Sequence, residues 1–281
     1  MGFSKISDLN SLFNSIYEDC LFVAREQVLM TNLVTNYSAR GWMTRYLPVY
    51  PEIVAESVDE AEDFANPTTW SKSELANFVP GEIMTQVVLT DRRLETDPDD
   101  ARRDAVLELG NAIATKIDKD LCADFDSFTN AIGTTGTALS VNKMAAGVTQ
   151  LRTAYCPNPI FVVLHPYGWH DIWDELGTPA ATQAFLGDRA NEALKSFFVS
   201  DWLNIAWFIS GNIVIANSDA KGGLFNPQAL AFDTRKAPLF EPERDASLRA
   251  WELNLSAGYG HGVRRDAFGR EVIHDATEPT G

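Results

Sequence analysis

The stretch that most constrains this chain runs from Asp97 to Phe125. Asp97 supplies a capping carboxylate, Pro98 fits a first helical turn, and Asp99 and Asp100 complement the positive end of a helix dipole. Behind them Val106, Leu109, Ile113, Ile117, Leu121 and Phe125 recur at steps of three or four, which lays one apolar stripe along a helix. At the usual rise per residue this is a rod about 40 Å long. Ala105, Gly110, Ala112 and Ala114 let other backbones approach it closely. Such a rod suits a backbone on which other parts hang.

The elements around it are mixed. Leu9, Leu12, Phe13, Ile16, Cys20, Val23 and Ala24 predict a helix over residues 7–36, with Ser7 or Asp8 as cap; in an assembling chain a neighbour can bury its stripe. Ile83 to Thr90 reads as a strand. A turn at Gly133–Gly136 precedes a helix from Val141 to Tyr155, with Ser140 as N-cap and Pro157 and Pro159 beyond its end. Ile160 to Leu164 reads as a buried strand, broken by His165-Pro166, and Trp169 to Leu176 as helix. Leu194 to Phe198 closes another helix. Leu203–Ile209 and Ile213–Ala216 flank Ser210-Gly211-Asn212 as a hairpin, and Ala229–Asp233, Trp251–Gly260 and Val272–His274 add strands. Without regular βαβ alternation, the fold class is α+β.

Residues 46–71 stand apart. They contain no Lys or Arg, carry Glu52, Glu56, Asp59, Glu60, Glu62 and Asp63, and are punctuated by Pro48, Pro51 and Pro67. Two readings fit: a long hairpin or loop, or a solvated acidic face with a short helix near Ser57–Phe64.

Composition excludes several classes. The 281 residues carry 39 Asp and Glu against 23 Lys and Arg, a formal charge of −16, which argues against a basic nucleic-acid-binding face. Cys20, Cys122 and Cys156 are odd in number and far apart, neither a disulfide framework nor a zinc spacing, so a reducing compartment is expected. The opening residues lack the pattern of a signal peptide, and Ile6 breaks the myristoylation pattern begun by Gly2. The stretch Trp202–Ala216 is interrupted by Asn204, Ser210 and Asn212 and is too short for a bilayer span. A soluble intracellular chain is expected.

A search for chemistry assigns no catalytic, cofactor-binding or metal residue. His165 and His170, near Asp171, Asp174 and Glu175, lack a zinc-site spacing and favour capping and packing. Ser140-Val-Asn-Lys143 matches a Ser-x-x-Lys pattern without its supporting motifs, since Ser218-Asp219 is followed by Ala220. Gly258-Tyr-Gly-His-Gly262 ends a strand, with Arg264 and Arg265 after it, where a phosphate cradle needs a helix N-terminus. The three cysteines read as buried thiols, and Trp202, Trp207 and Phe208 as core or subunit contacts.

The ordered set Val87-Val-Leu-Thr-Asp-Arg-Arg-Leu-Glu-Thr-Asp-Pro98, Lys116-Ile-Asp-Lys-Asp-Leu121, Val162-Val-Leu-His-Pro-Tyr-Gly-Trp-His-Asp171, Gly222-Gly-Leu-Phe225, Ala229–Arg235 and Glu243–Glu252 with Tyr259–Val263 resembles the major capsid proteins of tailed double-stranded DNA phages. The resemblance covers most of the chain from residue 83 onward. It implies the Hong Kong 97-like phage capsid fold: an N-terminal arm (1–45), an extended loop (46–82), a peripheral domain (83–135) with its spine helix at about 97–125, an axial domain (136–224) and a C-terminal return to the peripheral domain (225–281). It further implies a structural protein, not an enzyme, that assembles with itself as pentamers and hexamers into an icosahedral head around double-stranded DNA. The implied partners are a separate scaffolding protein, a portal and a decoration protein; DNA is enclosed without sequence-specific binding, and no membrane or cofactor is involved. With so short a start no cleaved scaffolding extension is expected, and therefore either a separate scaffolding protein or none. Lys72 lies where some relatives crosslink, but no crosslink is expected. The virion is the implied location, with assembly in the host cytoplasm. Two other roles remain open: a cellular nanocompartment shell holding an enzyme cargo, and an acidic hydrolase using an Asp/Glu pair.

Overall fold

The computed structural model describes residues 29–49, 73–96, 98–177, 201–202 and 205–279, with positions 53, 55, 57 and 60 between. The expected helices over 7–28 and 194–198, the cap Asp97, Cys20, Lys72 and most of the acidic segment lie outside the described residues.

The strands, in chain order, are β1 (Thr35–Ser38), β2 (Arg45–Val49), β3 (Ser73–Phe78), β4 (Gly81–Thr90), β5 (Ala131–Gly133), β6 (Phe161–Leu164), β7 (Asp201–Trp202), β8 (Ile205–Ile209), β9 (Ile215–Ala216), β10 (Asp219–Phe225), β11 (Leu230–Asp245), β12 (Ala250–Val263) and β13 (Gly269–Asp275). The helices are α1 (Asp91–Thr96), α2 (Pro98–Ala123), α3 (Val141–Thr153) and α4 (Pro166–Gly177). One sheet has the order β1-β11-β12-β4. A second runs β5-β13-β10-β6-β8-β7, with β9 on β10, and β2 pairs with β3 in a separate ribbon.

The rod expected from residue 97 is α2, and Ala105, Leu109, Ile113, Ile117 and Leu121 on it are buried. Steps of four overshoot the helical repeat, so the buried stripe turns by about 40° per step. The helix thus changes neighbours along its length, meeting β4, β12, the turn at Met30–Asn32 and β10. A 3-10 turn, Asp124–Ser127, ends it and drops Phe125 against Phe225. In the second sheet Trp207 of β8 meets Trp169 of α4 edge-on, with ring centroids 5.4 Å apart.

The chain between residues 29 and 36 is not part of an α-helix. It forms a 3-10 turn and then β1, parallel to β11, because Met30, Leu33 and Val34 bury against the core. Nor is Ser210-Gly211-Asn212 a hairpin turn. β8 pairs in parallel with β6, and β9 pairs with β10, so the two strands flanking the turn separate. β11 and β12 exceed their sequence bounds and form a long hairpin. Asp245 closes its tip by accepting the Ser247 and Leu248 N–H groups at 2.8 and 3.1 Å.

Candidate functional site

The segment entering and leaving the acidic stretch is held at its root by charge and by close packing. Arg45 of β2 donates through two guanidinium nitrogens to Asp233 of β11, at 2.8 and 3.1 Å. Asp233 is fully buried and also meets Arg235 at 2.6 Å. The Arg45 guanidinium stacks over the Tyr37 ring, 4.9 Å from its centroid. On β12 a Cβ at Gly258 would lie 2.6 Å from the Trp42 ring, and Phe78 of β3 lies over Gly260 and Gly262. The glycine-rich run is therefore a groove for two aromatic rings, not a phosphate cradle.

The spine carries a second set of polar ties. Asp118, 1% exposed on α2, accepts the Met30 N–H at 2.9 Å, the Asn212 side-chain amide at 2.7 Å and the Ser210 hydroxyl at 3.4 Å. One carboxylate so joins the N-terminal turn, the spine and the second sheet. Four residues apart along the next face, Asp120 accepts from Lys116 at 2.6 Å and from the Tyr259 hydroxyl at 2.7 Å, while Asp124 meets His261 Nδ1 at 2.9 Å. Burial opposes the imidazolium of His261, but the Asp124 carboxylate outweighs it and the pKa is raised.

The sequence candidates find structural partners. Asp171 accepts the Leu139 N–H at 2.9 Å and Glu175 the Val141 N–H at 2.8 Å, so two carboxylates of α4 hold the start of α3. Burial raises the Asp171 pKa. His165 accepts the Tyr167 N–H at 3.3 Å, and burial lowers its pKa; His170 packs on Trp173. Ser140 caps α3 through the Lys143 N–H at 3.3 Å, whereas the Lys143 ammonium goes to the Ala138 carbonyl. Cys122 and Cys156 are buried, which raises both thiol pKa values. Trp207 and Phe208 are packed on Trp169 and Phe161. Among the described residues no three His, Cys, Asp or Glu side chains are grouped to hold a metal.

Sequence reasoning missed Arg45, Asp233, Asp118 and Asn212. Arg45 and Asp233 stand 188 positions apart and Asp118 and Asn212 94 apart, so no local spacing signals either tie.

The ties and closures found here bind elements to one another, which is what a building block needs. A family model described as phage capsid protein matches residues 86–270. The chain belongs to the phage capsid protein family. This capsid protein shares its fold with solved phage structures. One, from Mycobacterium phage Che8, is 16% identical with a TM-score of 0.67, over 87% of this chain and 90% of that one. The capsid of cyanophage P-SCSP1u gives 14% identity and 0.69, over 87% of each chain. The head of Helicobacter pylori bacteriophage KHP40 gives 12% and 0.69, over 87% and 88%. No curated protein matches the sequence. The α+β, Hong Kong 97-like capsid fold expected from the motifs is the fold found, and the protein's role is structural, as a major capsid protein.

Proposed function

We propose that this capsid protein assembles with itself, as pentamers and hexamers, into an icosahedral head that encloses double-stranded DNA. The family match over residues 86–270 carries the reading. The division of labour follows the resemblance. Residues 1–45 form an arm, 46–82 a loop reaching a neighbour, 83–135 and 225–281 the peripheral domain, and 136–224 the axial domain around the capsomer axes. The Arg45–Asp233 tie and the aromatic rings over Gly258–Gly262 fit a loop that bears load at its root. A formal charge of −16 suits a container whose contents must leave, because an acidic wall does not hold DNA tightly. A separate scaffolding protein guides closure, and a portal and a decoration protein complete the head; assembly takes place in the host cytoplasm and the product is the virion.

The test is to purify the full chain from phage particles or from co-expression with its scaffold, image it by negative stain, and assay nuclease-protected nucleic acid. Closed shells with protected DNA are expected from phage. Shells filled with protein cargo and free of DNA would instead mark a nanocompartment.

A further inference from the structure

The two edges of the four-stranded sheet differ in their chemistry. The Asp91 N–H donates to the Arg249 carbonyl at 3.0 Å, and β4 continues that pairing on β12 from Thr90–Ala250 to Gly81–Tyr259. Antiparallel pairs alternate, so the odd-numbered residues of β4 turn their N–H and C=O toward β12. Glu82, Met84, Gln86, Val88 and Thr90 turn theirs outward. Carried across β12, the same alternation turns Phe240, Pro242 and Arg244 of β11 toward the opposite edge.

That opposite edge is closed to further strands. Pro242 removes an outward donor without disturbing the β12 ladder, and Pro238 stands within the register shift between Lys236 and Leu239. β1 covers the remainder, from Ala231 to Thr234. Prolines, bulges and short covering strands are the devices that keep an edge from pairing. β4 has none of them. Its ten residues contain no Pro and no Lys, and they pair with β12 without a register shift. Among the described residues no strand pairs with its outer side. On its exposed face Met84 is 63% and Val88 46% exposed.

We propose that β4 is a docking edge that pairs antiparallel with β4 of a second copy, about a two-fold axis through Gln86. The sequence of the edge is self-complementary in that register. Gln86 meets its own copy, Met84 meets Val88, and Glu82 meets Thr90, so all five outward-facing residues pair. The two Met–Val pairs cover the exposed apolar side chains, and no carboxylate opposes another. Centring on Glu82 would oppose two carboxylates, and centring on Met84 would bring Val88 against Pro80. A contact of this kind is isologous, as a two-fold between shell subunits requires. The pairing rests on the shell-building reading above.

The direct test is Gln86→Cys in the full chain, assembled and then mildly oxidised, with the unsubstituted chain as baseline for its own thiols. Facing residues of a hydrogen-bonded antiparallel pair lie about 5.5 Å apart between Cα atoms, within disulfide reach. A covalent dimer on a non-reducing gel is expected. Val88→Cys alone should give none, because the two copies of residue 88 would stand about 13 Å apart along the strands; adding Met84→Cys should restore the dimer. Met84→Pro, which removes only an outward donor, should leave the subunit folded and lower shell yield at least tenfold. Shells of normal yield in which Gln86→Cys stays monomeric overturn the pairing and leave the shell-building reading intact. Unchanged assembly of Met84→Pro overturns it as well.

Discussion

At Asp118 one carboxylate answers three donors from two distant parts of the chain, and two of them, the Met30 N–H and the Asn212 amide, approach within 3 Å. Asp118→Ala leaves the buried Met30 N–H unpaired, at about 1–3 kcal/mol, whereas the half-buried Asn212 amide can turn to water. A loss of roughly 1–3 kcal/mol is expected, read as a lower urea midpoint of the dissociated chain with an unchanged slope. His274 makes a second prediction at this scale. It is fully buried on β13 beneath Gly168, and burial lowers its pKa to about 4. The native state therefore binds fewer protons there than the unfolded chain, whose imidazole titrates near about 6.5. Its contribution is constant above that pH and falls as pH drops from about 6.5 toward about 4, by roughly 3 kcal/mol in all. Comparing thermal midpoints at pH 7 and pH 4.5, His274→Gln should show the smaller acid-induced drop; an equal drop would remove His274 from the account.

Among the elements, the spine was the most legible, because a helix announces itself through local spacing. Leu109, Ile113, Ile117 and Leu121 are buried as their periodicity requires. Ile113→Asp places an unpaired charge in a site 2% exposed and should abolish folding, seen as loss of soluble protein and of helical dichroism. The loop root was not legible, since its ties join distant residues and only the fold brings them together. An asymmetry is expected there. Arg45→Ala leaves Asp233 its partner Arg235, whereas Asp233→Ala leaves two guanidinium groups against each other. The second change should destabilise by roughly 3–5 kcal/mol and the first by clearly less, measured by urea unfolding. Two strand boundaries were misread for a related reason. The run around Ser210-Gly211-Asn212 has the composition of a hairpin turn, but its side chains serve Asp118, and pairing with β6 and β10 separates the strands.

For the whole molecule, the absence of a recognisable catalytic motif, the long spine and the acid-rich segment pointed from the sequence toward a building block. The ordered motifs from residue 83 onward pointed to the capsid family, and the match over residues 86–270 agrees with them. The carboxylates and histidines between residues 165 and 175, read from the sequence as capping and packing groups, hold the start of α3 and pack on aromatic rings. Which backbone groups they cap was not legible, because Leu139 and Val141 lie some thirty residues away at the start of another helix. The proposed role of this chain is to build a closed shell around DNA. Imaging native particles by electron microscopy, with the protein identified in the shell and the nucleic acid assayed after nuclease treatment, tests it most directly. Closed icosahedral shells made mainly of this chain and holding protected double-stranded DNA are expected. Particles whose shell lacks the chain, or a chain found only as small oligomers under every condition, would contradict it.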